Sequence, residues 1–428
     1  MSGHSRRSDT PTTPSIARHG RLRQSNPALA ILKFLGVALT VVLVSGGSIA
    51  AIAAWDLNRQ VKTVHLAGES EAGPIAEIGA IEGGVNLLLI GSDSRANSKY
   101  SYGEDDGGEL NDVNILLHIS QDHTNAVAIS FPRDTYVPIP ECPDGQGGTT
   151  EAMSSQKINT ALATGGGAAN GGLACVVLTV ESLTGLTIPF AAQISFDGVI
   201  EMSNAVGGVP VCVATALQDD ETELYLDPGV HELQGMDALK FLRTRHGVGD
   251  GSDLTRISSQ QVFLSALVRK VKSAGTLTDV SKLYGLAGAA VRNMTFSDSL
   301  GNVDIMVQIA KALAPIDLSK LVFVQYPTAL TEDQSGLLPN EEAANALFSA
   351  VQSDQPIALA APDPEAPTGS VAAPGTEVPA PADPAATDPA ATPDPAATTP
   401  GAVQLPDGVL GQTAAQETCT VGRTLEDQ

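Results

Sequence analysis

In Asn86-Leu-Leu-Leu-Ile-Gly-Ser-Asp-Ser-Arg95 an apolar run stops at a glycine and turns polar. A run this short, bounded by turn residues, fits a buried strand rather than a helix. The pattern recurs at 113–119 and 126–131, separated by the turn-like 121–125. Further strands are expected at 191–195, 209–213 and 321–325. Helices are expected at 173–184, 197–205, 236–244, 253–272, 277–291, 298–313 and 341–351. Strand and helix signals that alternate in this way predict an α/β domain built in layers. No internal repeat of 20–50 residues is present.

The flanks of this body differ from it. Among the first 55 residues Arg6, Arg7, Arg18, Arg21, Arg23 and Lys33 face Asp9 alone, whereas the whole chain of 428 residues carries −24. Residues 34–55 hold no charge. At about 1.5 Å per residue they reach roughly 30 Å, one bilayer core. Basic residues precede the run and acidic ones follow it. A single-pass anchor is therefore expected, with 1–33 a cytoplasmic basic tail and the rest outside the cell membrane. Ala51-Ile-Ala53 allows the rival reading of a cleaved signal, but the leader is long for one. Residues 56–84 read as a stalk and 85–353 as the body. Residues 354–428 read as a Pro/Ala/Asp-rich disordered tail with a terminal segment that holds Cys419, since such a sequence cannot bury a core. No second folded domain is expected after Val351. So acidic a chain argues against nucleic acid as a partner.

Cys142, Cys175, Cys212 and Cys419 form no C-x-x-C pair, which argues against zinc or a thioredoxin-type site. An oxidising exterior permits disulfides. Cys142 with Cys175 would staple a Gly-rich stretch; four free thiols are the alternative.

Walker A, H-E-x-x-H, G-x-S-x-G and G-x-G-x-x-G motifs are absent. Arginine stands out. Arg95 follows the first strand and Arg133 the third, where open α/β sheets build their sites. Arg243-Thr-Arg245 ends one helix, and Gly247, Gly249 and Gly251 lead to the next, with Ser252 as its N-cap. On that helix Asp253, Arg256 and Gln260 are spaced as one polar face, with Ile257, Leu264, Leu267, Val268 and Val271 expected on the opposite, buried side. Guanidinium groups bind phosphate oxygens in pairs, and a helix N-terminus adds partial positive charge. Asp93 and Asp112 could hold Mg²⁺, which takes oxygen ligands, if their strands are neighbours. Each feature has a plainer reading alone. Arg133–Asp134 could be a surface ion pair. Arg243 and Arg245 could merely match a helix dipole. Lys157-Ile-Asn159 could be only a cap. Asp219, Asp220, Glu221 and Glu223 read as a solvated loop rather than a metal cluster. The grouping of five arginines in an Arg-poor body carries the case.

Six segments in order resemble the LytR–CpsA–Psr family of cell-envelope phosphotransferases. They are Asn86 to Arg95, Phe131-Pro-Arg-Asp-Thr-Tyr136, Lys157-Ile-Asn-Thr160, Asp197-Gly-Val through Gly207-Gly-Val-Pro-Val-Cys212, Ala238 through His246, and Gly251-Ser-Asp-Leu-Thr-Arg-Ile257 with Gln260. The resemblance implies an α/β/α sandwich around a mixed sheet, a single extracellular domain on a single-pass transmembrane anchor, with an apolar tunnel for lipid. It implies transfer of a phosphoglycosyl polymer from a polyprenyl-pyrophosphate carrier to a peptidoglycan hydroxyl in a Gram-positive envelope. Asp93 and Asp112 would hold Mg²⁺ or Mn²⁺. Arg95, Arg133, Arg243, Arg245, Arg256 and Gln260 would line the pyrophosphate pocket. Arg245, with Asp253 and Asp134, would act in catalysis, Asp253 by orienting arginines or activating the acceptor. Where the family commonly has Arg-Ser-Asp-Thr, this chain has Leu110-Asn-Asp-Val113. Two other readings stand beside transfer: hydrolysis of the same pyrophosphate, and a non-catalytic wall-binding spacer.

Overall fold

The computed structural model describes residues 27–66, 84–95, 98–100, 102, 108–273, 275–276, 279–359, 369–373 and 401–428. The chain falls into two units, Met1–Trp55 and Asp56–Gln428. Helix α1, Pro27–Gln60, contains the expected spanning segment. Among the described residues no helix is long and apolar enough to cross a membrane. Side chains at 42, 43, 46, 47, 49–51, 53 and 54 lie outside those residues, as does most of the expected basic tail.

The body is built on an eight-stranded mixed sheet. In chain order its strands are β1 Lys62–Val64, β2 Val85–Ser92, β3 Asn111–Ile119, β4 Ala126–Phe131, β5 Phe190–Ile194, β8 Met294–Ser297, β9 Leu321–Gln325 and β11 Gly411–Thr413. Across the sheet the order is β1, β8, β5, β2, β3, β4, β9, β11. Strands β6 Val209–Val213, β7 Gly229–Leu233, β10 Ser370–Ala372 and β12 Thr418–Thr420 form a second sheet in the order β7, β6, β12, β10, and shorter strands, Leu217–Asp219 with Leu224–Leu226 among them, form two-stranded pairs.

Alternation explains the layers. On β4 every residue is buried, Val127, Ile129 and Phe131 toward one core and Ala126 and Ala128 toward the other. A central strand covered on both faces loses the polar half of the period-2 pattern. Helices α2 Gly172–Thr184 and α8 Glu341–Gln352 close the first face. Helices α6 Val280–Asn293 and α7 Val303–Leu313 close the second. Between them this is an α/β/α sandwich around a mixed sheet. Helices α3 Phe196–Ala205, α4 Met236–Arg243 and α5 Asp253–Ser273 complete the described long helices.

Three expectations are corrected. Residues 62–64 are not stalk: β1 pairs with β8 at the sheet edge; the rest of that segment, 67–83, lies outside the described residues. Residues 401–428 are not a disordered tail, because β11 extends the main sheet beside β9 and β12 pairs with β6. The Pro/Ala/Asp-rich 374–400 lies outside the described residues. Helix α7 starts at Val303, not 298, since Asn302 caps it by accepting from the Asp304 N–H. Cys142 is bonded to Cys175 as expected, and Cys212 to Cys419 across 207 residues.

Candidate active site

β2 and β3 are antiparallel neighbours, as the Asp93–Asp112 pairing required. Their register steps from Gly91 opposite Val113 to Ser92 opposite Asn111, which leaves Asp112 as the extra residue of a bulge. A bulge re-aims a side chain and frees main-chain groups. The Asp112 carbonyl accepts from Arg256 Nη2 at 2.9 Å, and its Oδ2 accepts from Arg133 Nη1 at 3.0 Å. Its Oδ1 is buried with no hydrogen bond. Asp93 Oδ1 accepts the Leu110 N–H at 2.6 Å, and the Asp93 N–H donates to the Leu110 carbonyl at 3.2 Å. The half-buried Leu110, at the position where the family commonly has arginine, thus serves Asp93 through its backbone.

Behind the arginines stands Asp253, 4 % exposed at the start of α5. Ser252 Oγ caps this helix by accepting the Thr255 N–H at 3.3 Å. Asp253 lies 2.7 Å from Arg256 Nη2 and accepts the Arg133 N–H at 3.0 Å. Burial works against the charge of Arg133, but Asp112, Asp253 and Asp134 outweigh it and raise its pKa. Asp134 is held by Lys157 Nζ at 2.8 Å. Burial opposes its ionisation, yet the Lys157 bond and the Arg133 charge lower its pKa. Arg243 stacks over the Phe196 ring, 4.5 Å from its centroid. Burial and the like charge of Arg95 lower the Arg243 pKa, with Asp112 and Asp93 opposing. Arg245 Nε donates to the Gly251 carbonyl at 3.0 Å. Gln260 Nε2 donates to the Leu242 carbonyl at 2.9 Å, tying α5 to α4.

Asp93, Arg95, Asp112, Arg133, Arg243, Arg245, Arg256 and Gln260 all line one cavity of about 570 Å³. Asp134 and Asp253 do not line it; they act on its arginines from behind. The expected two-sided α5 is corrected: Leu264 and Leu267 line the same cavity as Arg256 and Gln260. At about 100° per residue these positions fall on one stripe. The cavity is therefore polar at the start of α5 and apolar roughly 16 Å further along it. Phe196, Val199 and Met202 of α3, with Val206 at its C-cap, form an apolar wall of the same cavity.

Asp219 corrects the solvated-loop expectation. It is fully buried, takes the Thr244 hydroxyl, and accepts the N–H groups of Arg245 and Gly247, each at 3.2 Å. It shapes the Arg243-Thr-Arg245 turn. Nothing in its local sequence separates it from Asp220 or Glu221, because its partners lie about 25 residues away. Phe196 was missed for the same reason. Among the described residues no group of three or more His, Cys, Asp or Glu could hold a metal. Asp93 and Asp112 are a pair, and the free Asp112 Oδ1 fits a cation that takes its other oxygens from phosphate and water.

The model of the LytR_cpsA_psr family matches residues 50–346. The cell wall biosynthesis protein LcpA of Corynebacterium glutamicum is 29% identical over 61% of this chain, a stretch that spans 53% of that protein. The polyisoprenyl-teichoic acid–peptidoglycan teichoic acid transferase TagT of Bacillus subtilis is 27% identical over 63% of this chain and 80% of its own length. A LytR-Csp2A-Psr enzyme from Actinomyces oris aligns in structure over 68% of this chain and 94% of its own, with a TM-score of 0.47 and 20% identity.

Proposed function

Because the chain belongs to the LytR–CpsA–Psr family, we propose that it transfers a phosphoglycosyl polymer from a polyprenyl-pyrophosphate carrier to a peptidoglycan hydroxyl. One observation carries this reading. Five arginines gather with Asp93, Asp112 and Asp219 at one end of a cavity whose other end is apolar. A lipid pyrophosphate has the same division between charge and hydrocarbon.

In this reading Arg95, Arg133, Arg243, Arg245 and Arg256 neutralise the pyrophosphate, and the walls of α3 and α5 take the prenyl chain. The acceptor hydroxyl oxygen attacks the phosphorus that carries the sugar, and its proton passes to solvent. The bond from that phosphorus to the bridging oxygen breaks, and polyprenyl phosphate leaves with the electron pair. The fixed guanidinium groups stabilise charge as it develops on the leaving phosphate. Asp253 and Asp134 hold those groups in place. Asp93 and Asp112 would hold Mg²⁺, which when bound spreads charge over the phosphate oxygens. The same arginines would serve water as acceptor, so the choice of acceptor is tested rather than assumed.

The proposal includes a membrane anchor at 34–55 with the body outside the cell. The uncharged sequence, the continuous helix Pro27–Gln60, and the exposed Phe34, Leu35, Val37, Val41, Val44 and Ile52 support it. The test is incubation of the purified protein with a polyprenyl-pyrophosphate sugar, Mg²⁺ and peptidoglycan. Polyprenyl phosphate release with sugar joined to peptidoglycan is expected. Release with free sugar phosphate means hydrolysis, and no release with a folded protein means a spacer.

A further inference from the structure

We infer that Thr418 to Arg423 is a positioning element of the pyrophosphate pocket, pinned there by the Cys212–Cys419 disulfide. The inference rests on the function proposed above. It adds a stretch of chain that lies outside the family match at 50–346.

The loop from Arg245 to Ser252 presents Arg245 to the cavity and ends at the cap of α5. It has few side chains to hold it. Gly249 and Gly251 sit at φ of 51° and 81°, which only glycine adopts freely. Its order must therefore come from partners. Asp219 holds one side. The end of the chain holds the other. The Gly249 N–H donates to the Val421 carbonyl at 3.0 Å, and the Arg423 N–H donates to the Gly247 carbonyl at 2.8 Å. Arg423 Nη1 donates to the Asp250 carbonyl at 3.3 Å. On its far side the segment also binds the strand that carries Asp219, since the Gln218 N–H donates to the Arg423 carbonyl at 2.9 Å. The segment thus bonds both the Arg245 loop and Gln218, the residue before Asp219. Arg245 is itself fixed by the Gly251 carbonyl, one residue beyond this grip.

Gly422 shows how close the fit is. A Cβ there would lie 2.2 Å from the Thr215 carbonyl oxygen and 2.5 Å from that of Ala216. The disulfide sits three residues earlier, where Cys419 pairs with Cys212 in register across β12 and β6. It fixes a segment that the chain reaches only after the Pro/Ala/Asp-rich 374–400.

The test uses the full chain with a protease site placed within 380–395. Cutting alone should leave release of polyprenyl phosphate unchanged, because the disulfide retains the segment. Cutting and reduction, followed by removal of the freed peptide, should lower kcat about a hundredfold, the scale of a misplacement near 1 Å. Reduced but uncut chain controls for Cys142–Cys175. In the intact chain Gly422→Ala and Arg423→Ala should lower kcat about tenfold with KM for the lipid within about threefold, and Arg423→Lys should recover part of the loss. Segment-free protein at the parent rate, or both intact-chain variants at the parent kcat, would overturn the inference. If the parent chain releases nothing, the functional reading fails and amide exchange decides the inference. Loss of protection at the Gly249 N–H on cutting and reduction supports it, and unchanged protection refutes it.

Discussion

The carboxylate of Asp253 accepts the main-chain N–H of Arg133 at 3.0 Å, across 120 residues of sequence. Its other oxygen lies 2.7 Å from Arg256 Nη2. One buried carboxylate therefore sets two arginines of the pocket. Asp253→Ala leaves Arg256, 5 % exposed, without that partner. Loss of one partner from a buried pair costs about 3–5 kcal/mol. Urea denaturation should show a loss of that order, and turnover should fall about a hundredfold as the arginines shift. Asp253→Asn keeps an acceptor for the Arg133 N–H and should lose less stability. An alanine variant as stable and active as the parent would show that the pair is idle.

Arg245 differs in kind. Its Nε bond goes to the carbonyl of half-buried Gly251 rather than to a buried carboxylate. Arg245→Ala should therefore leave the denaturation midpoint nearly unmoved. Turnover should fall about 10²–10³-fold, the cost of removing one donor aimed at developing charge. Lysine should restore little, because an ammonium cannot present the planar fork. Initial rates beside denaturation curves separate the two effects. An unchanged rate would count against the proposed chemistry.

Much of this arrangement was legible because local patterns agreed with the fold. Strands β4, β6 and β9 begin and end where the apolar runs do. The arginines stood out because the body holds few of them. Long-range partners were illegible. Asp219 looks like its acidic neighbours until Thr244 and Gly247 fold over it. The α5 faces were misassigned because Leu264 and Leu267 read as core, whereas they line a cavity. Edge strands β1 and β11 are three residues each, too short to give a periodic signal. The return of 401–428 was hidden by the low-complexity sequence before it; only the unpaired Cys419 hinted at it.

The metal assignment has a direct readout. Asp112 Oδ1 is buried without a hydrogen bond, and Asp93, just past the end of the neighbouring strand β2, lines the same cavity. Asn at either position keeps an oxygen for its present bonds but removes the charge that a hard cation needs. Asp93→Asn with Asp112→Asn should abolish Mg²⁺ or Mn²⁺ binding in calorimetry while circular dichroism stays that of the parent. Equal affinity in the double variant would reject these two residues as ligands.

Asp219 predicts a pH effect on stability. Burial raises its pKa, but the Thr244 hydroxyl and the N–H groups of Thr222, Gly247 and Arg245 more than offset this, so the folded value is lowered. The folded state then binds the proton less readily than the unfolded chain. The stabilisation is present in full above the unfolded value of about 3.9 and is lost as pH falls through the folded value. Asp219→Asn removes the titration. The gap in unfolding free energy between parent and variant should be constant from pH 7 to about 5 and shrink below about 4. Denaturation series at pH 7, 5, 4 and 3 measure it. A gap that stays constant to pH 3 would mean that the carboxylate charge contributes nothing and that the hydrogen bonds to a neutral amide suffice.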